Sequence, residues 1–66
     1  MIELYTLDGS RHSREAKQLL EKAGIDFVER DILDAPFWIT SAPTFVEGWS
    51  KYVGLEEISE YVERRE

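Results

Sequence analysis

The clearest structural signal in the chain comes from residues 2–32, which read IELYTLDGSRHSREAKQLLEKAGIDFVERDI. Ile2–Leu7 combines β-branched, aromatic and other apolar residues, which predicts a strand, and Asp8-Gly9 has the composition of a turn that ends it. From Arg11 to Ala23 the apolar residues recur at the i, i+3, i+4, i+7 spacing of an amphipathic helix. Ser10, directly before this helix, belongs to the residue types preferred at an N-cap.

The predicted helix has a clear end and leads into a second strand. Gly24 follows the last helical residue, at the position where a left-handed backbone conformation is favoured. Ile25–Ile32 then places Phe27 and Val28 between charged residues, which predicts a strand. A strand, a helix and a strand joined by tight turns form a βαβ unit. We therefore expect the two strands to be parallel, with a right-handed crossover.

The second half of the chain predicts a hairpin and a last helix. Leu33–Ser41 has no clear hydrophobic period, and Asp34-Ala35-Pro36 predicts no more than one helical turn within it. Thr44–Val46 and Trp49–Val53 predict two strands that form a hairpin around Gly48. The last helix opens at Gly54, and its apolar face carries Leu55, Ile58 and Val62, with Tyr61 beside them.

The composition of the 66 residues argues against several classes of function. The chain has no cysteine and one histidine, which excludes disulfides, thiol chemistry and a metal centre built from histidines or cysteines. Its formal net charge of −6 argues against binding to nucleic acid or to an anionic membrane surface. No apolar stretch approaches the roughly 20 residues of a membrane span, and the amino terminus does not read as a signal peptide. We therefore expect one domain, residues 1–66, that is a cytoplasmic monomer without a metal ion.

The turn from the first strand into the first helix is the most informative place for chemistry. Ligand sites of α/β folds lie at the carboxyl ends of parallel strands, and a helix amino terminus favours negative charge there. A thiol at such a position has a lowered pKa, which is why Cys-X-X-Cys motifs occur there. In this chain the segment is Ser10-Arg11-His12-Ser13, and serine differs from cysteine only by oxygen in place of sulfur.

Several short segments, in the same order along the chain, resemble the glutaredoxin family, whose members carry Cys-Pro-Tyr-Cys or a relative of it at this turn. These segments are Leu4-Tyr5-Thr6, Ser10-X-X-Ser13, Ala16-Lys17-X-Leu19-Leu20, Gly24-Ile25-X-Phe27, Ala42-Pro43-Thr44 and Val53-Gly54. The resemblance implies an α/β, minimal thioredoxin-like fold, with a four-stranded mixed sheet of order 2-1-3-4 and the succession β-α-β-β-β-α. The family's helix between strands two and three is then absent or reduced, because only about ten residues, 33–42, are available for it.

The resemblance also implies an activity, that of a glutaredoxin-like thiol–disulfide oxidoreductase. In a thiol form, position Ser10 would carry the nucleophile that attacks a disulfide, and position Ser13 would carry the thiol that resolves the mixed disulfide. We expect the Ser-X-X-Ser form to be redox-inactive, because a serine hydroxyl stays protonated near neutral pH and no adjacent base is evident. The implied partners are a disulfide-containing protein such as ribonucleotide reductase, and either thioredoxin reductase or glutathione as reductant.

The family's other site residues fall on further positions of this chain. Arg11 and His12 form the interior of the motif, and Pro43 is expected to be a cis-proline. The backbone of Ala42 is expected to pair with an extended substrate strand. The remaining substrate-binding positions implied by the resemblance are Tyr5, Thr44 and Gly54.

The resemblance implies no bound cofactor other than glutathione, and two departures from the family pattern disfavour a glutathione site. Glutathione-using members carry a basic residue just before the first cysteine, where this chain has Leu7-Asp8-Gly9. They also carry a late Gly-Gly-X-Asp turn, where this chain has Val53-Gly54-Leu55-Glu56.

The same residues have alternative interpretations. Ser10 and Ser13 are also typical of helix capping, and Pro43 is typical of the start of a strand. A hydrolytic pair of His12 with Ser13 is disfavoured, because adjacent helical residues do not face each other and no acidic partner is identifiable. The alternative function is a non-catalytic thioredoxin-like binding module, or a designed minimal scaffold.

Loss of the middle helix would uncover one face of the sheet. The gap between strands two and three is two inter-strand spacings, roughly 10 Å, which a short loop spans. We hypothesise that Phe37, Trp38 and Ile39 cover the exposed face in place of the helix. We also expect Trp49 and Tyr52 to pack within the hairpin.

Overall fold

The computed structural model describes residues 2–65, which form one mixed sheet and two helices. The elements are β1 (Ile2–Thr6), α1 (Arg11–Lys22), β2 (Val28–Asp31), a 3₁₀ turn (Ile32–Asp34), β3 (Thr44–Glu47), β4 (Ser50–Val53) and α2 (Gly54–Arg65). The strand order is β2-β1-β3-β4, which confirms the predicted 2-1-3-4 sheet of an α/β fold. Between residues 2 and 65, neither helix is long and apolar enough to cross a membrane.

The pairing of the strands confirms the predicted βαβ unit and hairpin. β1 pairs in parallel with β2 and in antiparallel with β3, and β3 pairs in antiparallel with β4. Tyr5 lies opposite Thr44, and Thr44 lies opposite Val53. The carboxyl end of β1, the start of β3 and the end of β4 therefore lie at the same edge of the sheet.

The second strand is shorter than Ile25–Ile32, the range predicted for it. Gly24 takes the left-handed conformation expected after the helix, with a φ of 74°. The N–H of Ile25 then donates to the carbonyl oxygen of Leu20 over 3.1 Å, and Ile25 is buried. The residues after Gly24 thus close the end of α1 before the chain becomes extended at Val28.

The single helical turn predicted at Asp34-Ala35-Pro36 is wrong in position. The turn spans Ile32–Asp34, because the carboxylate of Asp31 accepts the N–H of Leu33 over 2.8 Å and caps it there. Pro36 follows the turn instead of starting it.

The main core lies between the two helices and one face of the sheet. The aromatic rings of Phe45, Tyr52 and Tyr61 meet at its centre, with centroids 4.9 Å apart for Phe45–Tyr61 and for Tyr52–Tyr61. Such tilted pairs add stability beyond the area that they bury. The buried members of this core are Leu4, Ala16, Leu20, Ile25, Phe45, Ile58, Tyr61 and Val62.

The opposite side of the sheet, which we call the open face, has a much thinner cover. Its buried centre is formed by Tyr5 and Val46 from the strands and Ile39 from the loop between β2 and β3. Ile32 and Ala35 pack against this group. No helix covers the open face among residues 2–65.

The hypothesis that Phe37, Trp38 and Ile39 cover the open face is correct for Ile39 and wrong for Phe37. Ile39 is 5% exposed, whereas Phe37 is 93% exposed and Trp38 is 46% exposed. The N–H of Ile39 donates to the carbonyl oxygen of Pro36 over 3.0 Å, which closes a turn with Phe37 and Trp38 at its corner. Of the three residues, only Ile39 is buried, whereas Trp38 is half-exposed and Phe37 projects into solvent.

The expectation that Trp49 packs within the hairpin is also wrong, whereas Tyr52 does pack there. Glu47 pairs with Ser50, which leaves Gly48 and Trp49 as the loop residues of the hairpin. Trp49 is fully exposed because it stands at the tip of this loop, beyond the end of the sheet.

We predict that Ile39→Ala lowers the free energy of unfolding by about 2–4 kcal/mol, because it removes the side chain that covers the centre of the open face. Phe37→Ala, the matched control on the same turn, is expected to change it by no more than about 0.5 kcal/mol. Urea denaturation at low protein concentration measures both values. An equal loss in the two variants would contradict the arrangement of the cover.

We also predict a pH dependence that involves Tyr61. Burial raises the pKa of Tyr61, and the hydrogen bond that its hydroxyl donates to Glu47 over 2.6 Å raises it further, although Arg65 opposes this. The protonated Tyr61 therefore contributes its full stabilisation of the fold below pH 10. This contribution is lost as the pH rises from 10 through the raised pKa, because Tyr61 in the unfolded chain releases its proton at a lower pH.

Tyr61→Phe is expected to cost about 1 kcal/mol at pH 7 through the lost hydrogen bond. The difference between the variant and the unmodified chain should shrink as the pH rises above about 10. Urea denaturation across this pH range measures it. A difference that stays constant up to pH 11 would contradict the assignment.

Candidate functional site

The turn between β1 and α1 is organised by Ser10. Its backbone is extended, and its hydroxyl oxygen accepts the N–H of Ser13 over 3.3 Å. Its carbonyl oxygen accepts the N–H of Arg14 over 3.2 Å, which is the first hydrogen bond of the helix. Ser10 is therefore the N-cap of α1, and it points one half-buried hydroxyl along the amino terminus of the helix.

Ser13 occupies a different environment, although it lies only one helical turn away. It is 3% exposed, and its hydroxyl oxygen accepts the N–H of Leu7 over 3.0 Å. This contact ties the first turn of α1 to the residue that follows β1. The two serines thus form an accessible outer position and a buried inner position at the start of one helix.

The two residues between the serines point into solvent. Arg11 is exposed and forms an i, i+4 ion pair with Glu15, with Nε 3.3 Å from Oε1. His12 is also exposed. Because Ser13 is buried on the other side of the helix, the structure does not bring His12 and Ser13 together as a hydrolytic pair.

The Ala42–Pro43 segment lies at the same edge of the sheet. The peptide bond between these residues is cis, which is the geometry that the sequence predicts. The carbonyl oxygen of the buried Pro43 accepts the N–H of Gly54 over 2.8 Å. Since Tyr5 pairs with Thr44, Pro43 lies beside the end of β1, where the chain turns toward Ser10. The structure therefore brings positions 10, 42, 43 and 54 to one edge.

Two of the predicted substrate-binding residues, Tyr5 and Thr44, have buried side chains. Tyr5 is buried beneath Ile39, and its hydroxyl donates to Glu3, toward the opposite end of β1. Burial and the charge of Glu3 both raise the pKa of Tyr5. Thr44 is 1% exposed and donates its hydroxyl proton to the carbonyl oxygen of Ser41 over 2.6 Å. Both side chains hold the open face and its loop in place.

A polar cavity of about 510 Å³ adjoins Ser10 on the side of β2. An ion pair beside this cavity joins Lys17 of α1 to Glu29 of β2, with Nζ 2.9 Å from Oε1. Thr6 donates its hydroxyl proton to the other oxygen of Glu29 over 3.0 Å. The hydrogen bond between the two charged groups raises the pKa of Lys17 and lowers that of Glu29. Further lining residues are Leu7, Asp8, Gly9, Ser13, Arg14, Arg30 and Asp31.

Sequence reasoning missed the Lys17–Glu29 pair, because only one of the two signals that point to it can be read from the sequence. Lys17 follows Ser13 by four residues, so it lies one turn further along the same side of α1. Glu29 pairs with Leu4, whose side chain faces the helices, so Glu29 faces the helices as well. The second signal requires the register of β1 and β2, which the sequence alone does not supply.

The chemistry available at this edge is hydrogen bonding, ion pairing and binding of extended backbone. In the described residues, 2–65, no three side chains of histidine, cysteine, aspartate or glutamate are placed to hold a metal ion. The Ser10 hydroxyl lies at a helix amino terminus but does not have the acidity of a thiol.

Comparison with known proteins identifies the fold. No protein-family model matches the sequence, and no curated protein matches it either. The structure is similar to the solution structure of glutaredoxin from Brucella melitensis, with a TM-score of 0.76 and 21% sequence identity. The match covers 96% of this chain and 78% of the glutaredoxin. The chain has a thioredoxin-like fold of the glutaredoxin type. The fold predicted from the resemblance is confirmed, and the serines stand in a chain of this fold that has no cysteine.

We predict that Ser10→Ala lowers the free energy of unfolding by about 1 kcal/mol, because the N–H of Ser13 loses its acceptor. Ser10→Asp is the matched control, since aspartate also caps helices and its charge suits the amino terminus of α1. Urea denaturation followed by circular dichroism measures both. Equal losses in the two variants would show that the hydroxyl does not act as the cap.

Proposed function

We propose that this chain is a redox-inactive, serine-substituted form of a glutaredoxin-like thiol–disulfide oxidoreductase. The observation that supports it best is the pair formed by an accessible Ser10 and a buried Ser13 at the start of α1. A dithiol enzyme needs this asymmetry, because one thiol must be accessible to the substrate disulfide, whereas the second thiol lies buried behind the first. Pro43 lies at the same edge and provides the place where the substrate backbone would bind.

The amino terminus of α1 would activate a thiol at position Ser10. The N–H of Ser13 already donates to the side-chain oxygen there, and the helix dipole adds partial positive charge. Both favour a thiolate over a thiol, so the pKa would fall below the usual value of about 8.5. The serine hydroxyl accepts the same hydrogen bond, but it keeps its proton near neutral pH and cannot start the exchange.

The exchange in the dithiol form would proceed in two displacements. The thiolate at position 10 attacks one sulfur of a protein disulfide, forms a mixed disulfide and releases the other sulfur as a thiolate that takes up a proton. The thiol at position 13 loses its proton and attacks the sulfur at position 10, which releases the second substrate thiol. The domain is left with an internal disulfide, having given two electrons, and a reductase or glutathione returns them.

The substrate is proposed to bind as an extended segment beside Ala42. The carbonyl oxygen of Pro43 is already engaged by Gly54, so the half-buried Ala42 supplies the backbone groups for pairing with the added strand. Thioredoxin reductase is a better candidate reductant than glutathione. Leu7-Asp8-Gly9 offers no basic side chain for the glutathione carboxylates at the entrance to the site.

A second function, that of a non-catalytic binding module, is favoured by one observation. Both serine hydroxyls accept backbone N–H groups, Ser10 from Ser13 and Ser13 from Leu7. Each serine therefore has a structural role that does not require a lost thiol. Such a module would bind extended segments at the Ala42–Pro43 edge without exchanging disulfides.

Restoring the thiols distinguishes the two functions. We predict that Ser10→Cys/Ser13→Cys forms an internal disulfide and reduces a small disulfide or insulin when NADPH and thioredoxin reductase, or glutathione, are supplied. The unmodified chain should show no turnover in the same assay. NADPH consumption measures the rate, and thiol titration measures the internal disulfide.

The single variants are matched controls for the two positions. Ser10→Cys should react rapidly with iodoacetamide and with a small disulfide, because its thiol is accessible and activated. Ser13→Cys should react at least tenfold more slowly, because its side chain is buried. A double variant that forms no internal disulfide, or gives no turnover with either reductant, would overturn the redox proposal and favour the binding module.

A further inference from the structure

The uncovered apolar surface of the chain is concentrated on one side. Seven large apolar side chains of residues 2–65 are at least 37% exposed. All except Leu7 lie on the open face of the sheet, on the loop that crosses it or at its hairpin tip: Val28, Leu33, Phe37, Trp38, Trp49 and Val53. This is the side from which the family's middle helix is missing.

These six side chains together expose a large apolar area. With the exposed fractions of these six residues, their exposed side-chain areas add up to roughly 700 Å² in each copy. A standard protein interface buries about 800 Å² in each partner. The open face is therefore close to one half of a stable interface.

The patch also contains a preformed apolar cavity of about 370 Å³. Its walls include Trp38 and Trp49, and Val46 forms part of its base. Lys51 fixes Trp38, because its ammonium group donates to the carbonyl oxygen of Trp38 over 3.2 Å and lies 6.0 Å from the centre of its ring. A cavity of this size accepts an aromatic side chain, and Phe37 is a nearly fully exposed one on the same side of the molecule.

The charges of the open face decide which kind of partner fits it. Strand alternation places Glu3, Arg30 and Lys51 on this face, and the loop adds Asp34. Arg30 and Glu3 form an ion pair with Nε 2.6 Å from Oε2, which raises the pKa of Arg30, and the charge of Asp34 raises it further. Two acidic and two basic residues cancel here, whereas the whole chain carries −6. The excess acid lies on the other surfaces, which repel a second copy.

We propose that the open face is the interface for a second copy of this chain, in a two-fold symmetric pair centred on Phe37, Trp38 and Trp49. A neutral apolar face that meets its own copy buries both patches at once and brings no excess of like charge together. The sequence predicted a monomer, whereas this proposal rests on the exposed apolar side chains of the folded chain. It is independent of the proposed function, which uses the sheet edge at Ser10 and Pro43.

Sedimentation equilibrium or light scattering over a range of concentrations tests the proposal. The unmodified chain should be a dimer at high concentration and dissociate on dilution. Added salt should strengthen the dimer, because it screens the repulsion between the acidic surfaces outside the interface. Glutathione and reductases are absent from this experiment, so its result does not depend on the redox proposal.

Two charge insertions locate the interface. Trp49→Glu and Phe37→Glu should each weaken the dimer at least tenfold, because they bring like charges together across the two-fold axis. Both side chains are nearly fully exposed, so the fold should survive, and circular dichroism checks this. Gln18→Glu is the matched control, since it adds the same charge on the exposed surface of α1 and should leave the dimer unchanged.

Two results would overturn the proposal. One is an unmodified chain that remains monomeric up to a concentration of about 1 mM, even at high salt. The other is a dimer that Trp49→Glu and Phe37→Glu leave intact, which would place the contact on another surface. If the chain is monomeric and a different protein binds the open face, the proposal is likewise wrong.

Discussion

β1 is hydrogen-bonded along both of its edges, in parallel to β2 and in antiparallel to β3. A shift of one residue in either register would turn Leu4 and Tyr5 to the opposite faces, so the central strand is held firmly in place. The position of the carboxyl end of β1 is therefore fixed by the pairing on both sides. Ser13 binds the N–H of Leu7 directly after it, and Thr44 pairs with Tyr5 near its end. The start of α1 and the Pro43 segment are positioned by the same strand, which is why they meet at one edge.

The hydrophobic pattern predicted most of what depends on spacing. The separation of Ala16 from Leu20 by one helical turn predicts the buried side of α1, and both residues are fully buried. The same pattern does not say which apolar residue of a tight turn points inward. Phe37 and Ile39 are both apolar, and it is the hydrogen bond from Ile39 to Pro36 that buries one and exposes the other. Trp49 was mispredicted for a similar reason, because the hairpin register leaves it in the loop.

The candidate site was predictable to the extent that it is local. The cap formed by Ser10 depends on residues within one helical turn, so the residue type and its position before an apolar period are enough to predict it. The contacts that surround this cap are not local. Glu29 reaches Lys17 and Thr6 only because β2 lies beside β1 in one particular register. No periodicity within either segment contains that information.

The two faces of the sheet differ because a loop with a short 3₁₀ turn, and not an α-helix, joins β2 to β3. A helix would bury a continuous stripe of side chains on the open face, whereas the loop supplies Ile39 with partial help from Ile32 and Ala35. The apolar residues that remain cannot all be covered by a chain of this length. A small domain buries a low fraction of its surface, so the missing layer has to come from another molecule or stay in water.

The serines and the proposed thiols depend on the same physical property of α1. Its first N–H groups have no acceptor within the helix, and they favour an electron-rich atom at position 10. Ser10 supplies a neutral oxygen, which satisfies the N–H of Ser13 and stabilises the start of the helix. A sulfur atom at position 10 would be stabilised as the thiolate anion, so the N–H of Ser13 would lower the pKa of that thiol. Compared with the proposed thiol form, the oxygen of Ser10 makes the same hydrogen bond but lacks the charge that would make the site reactive.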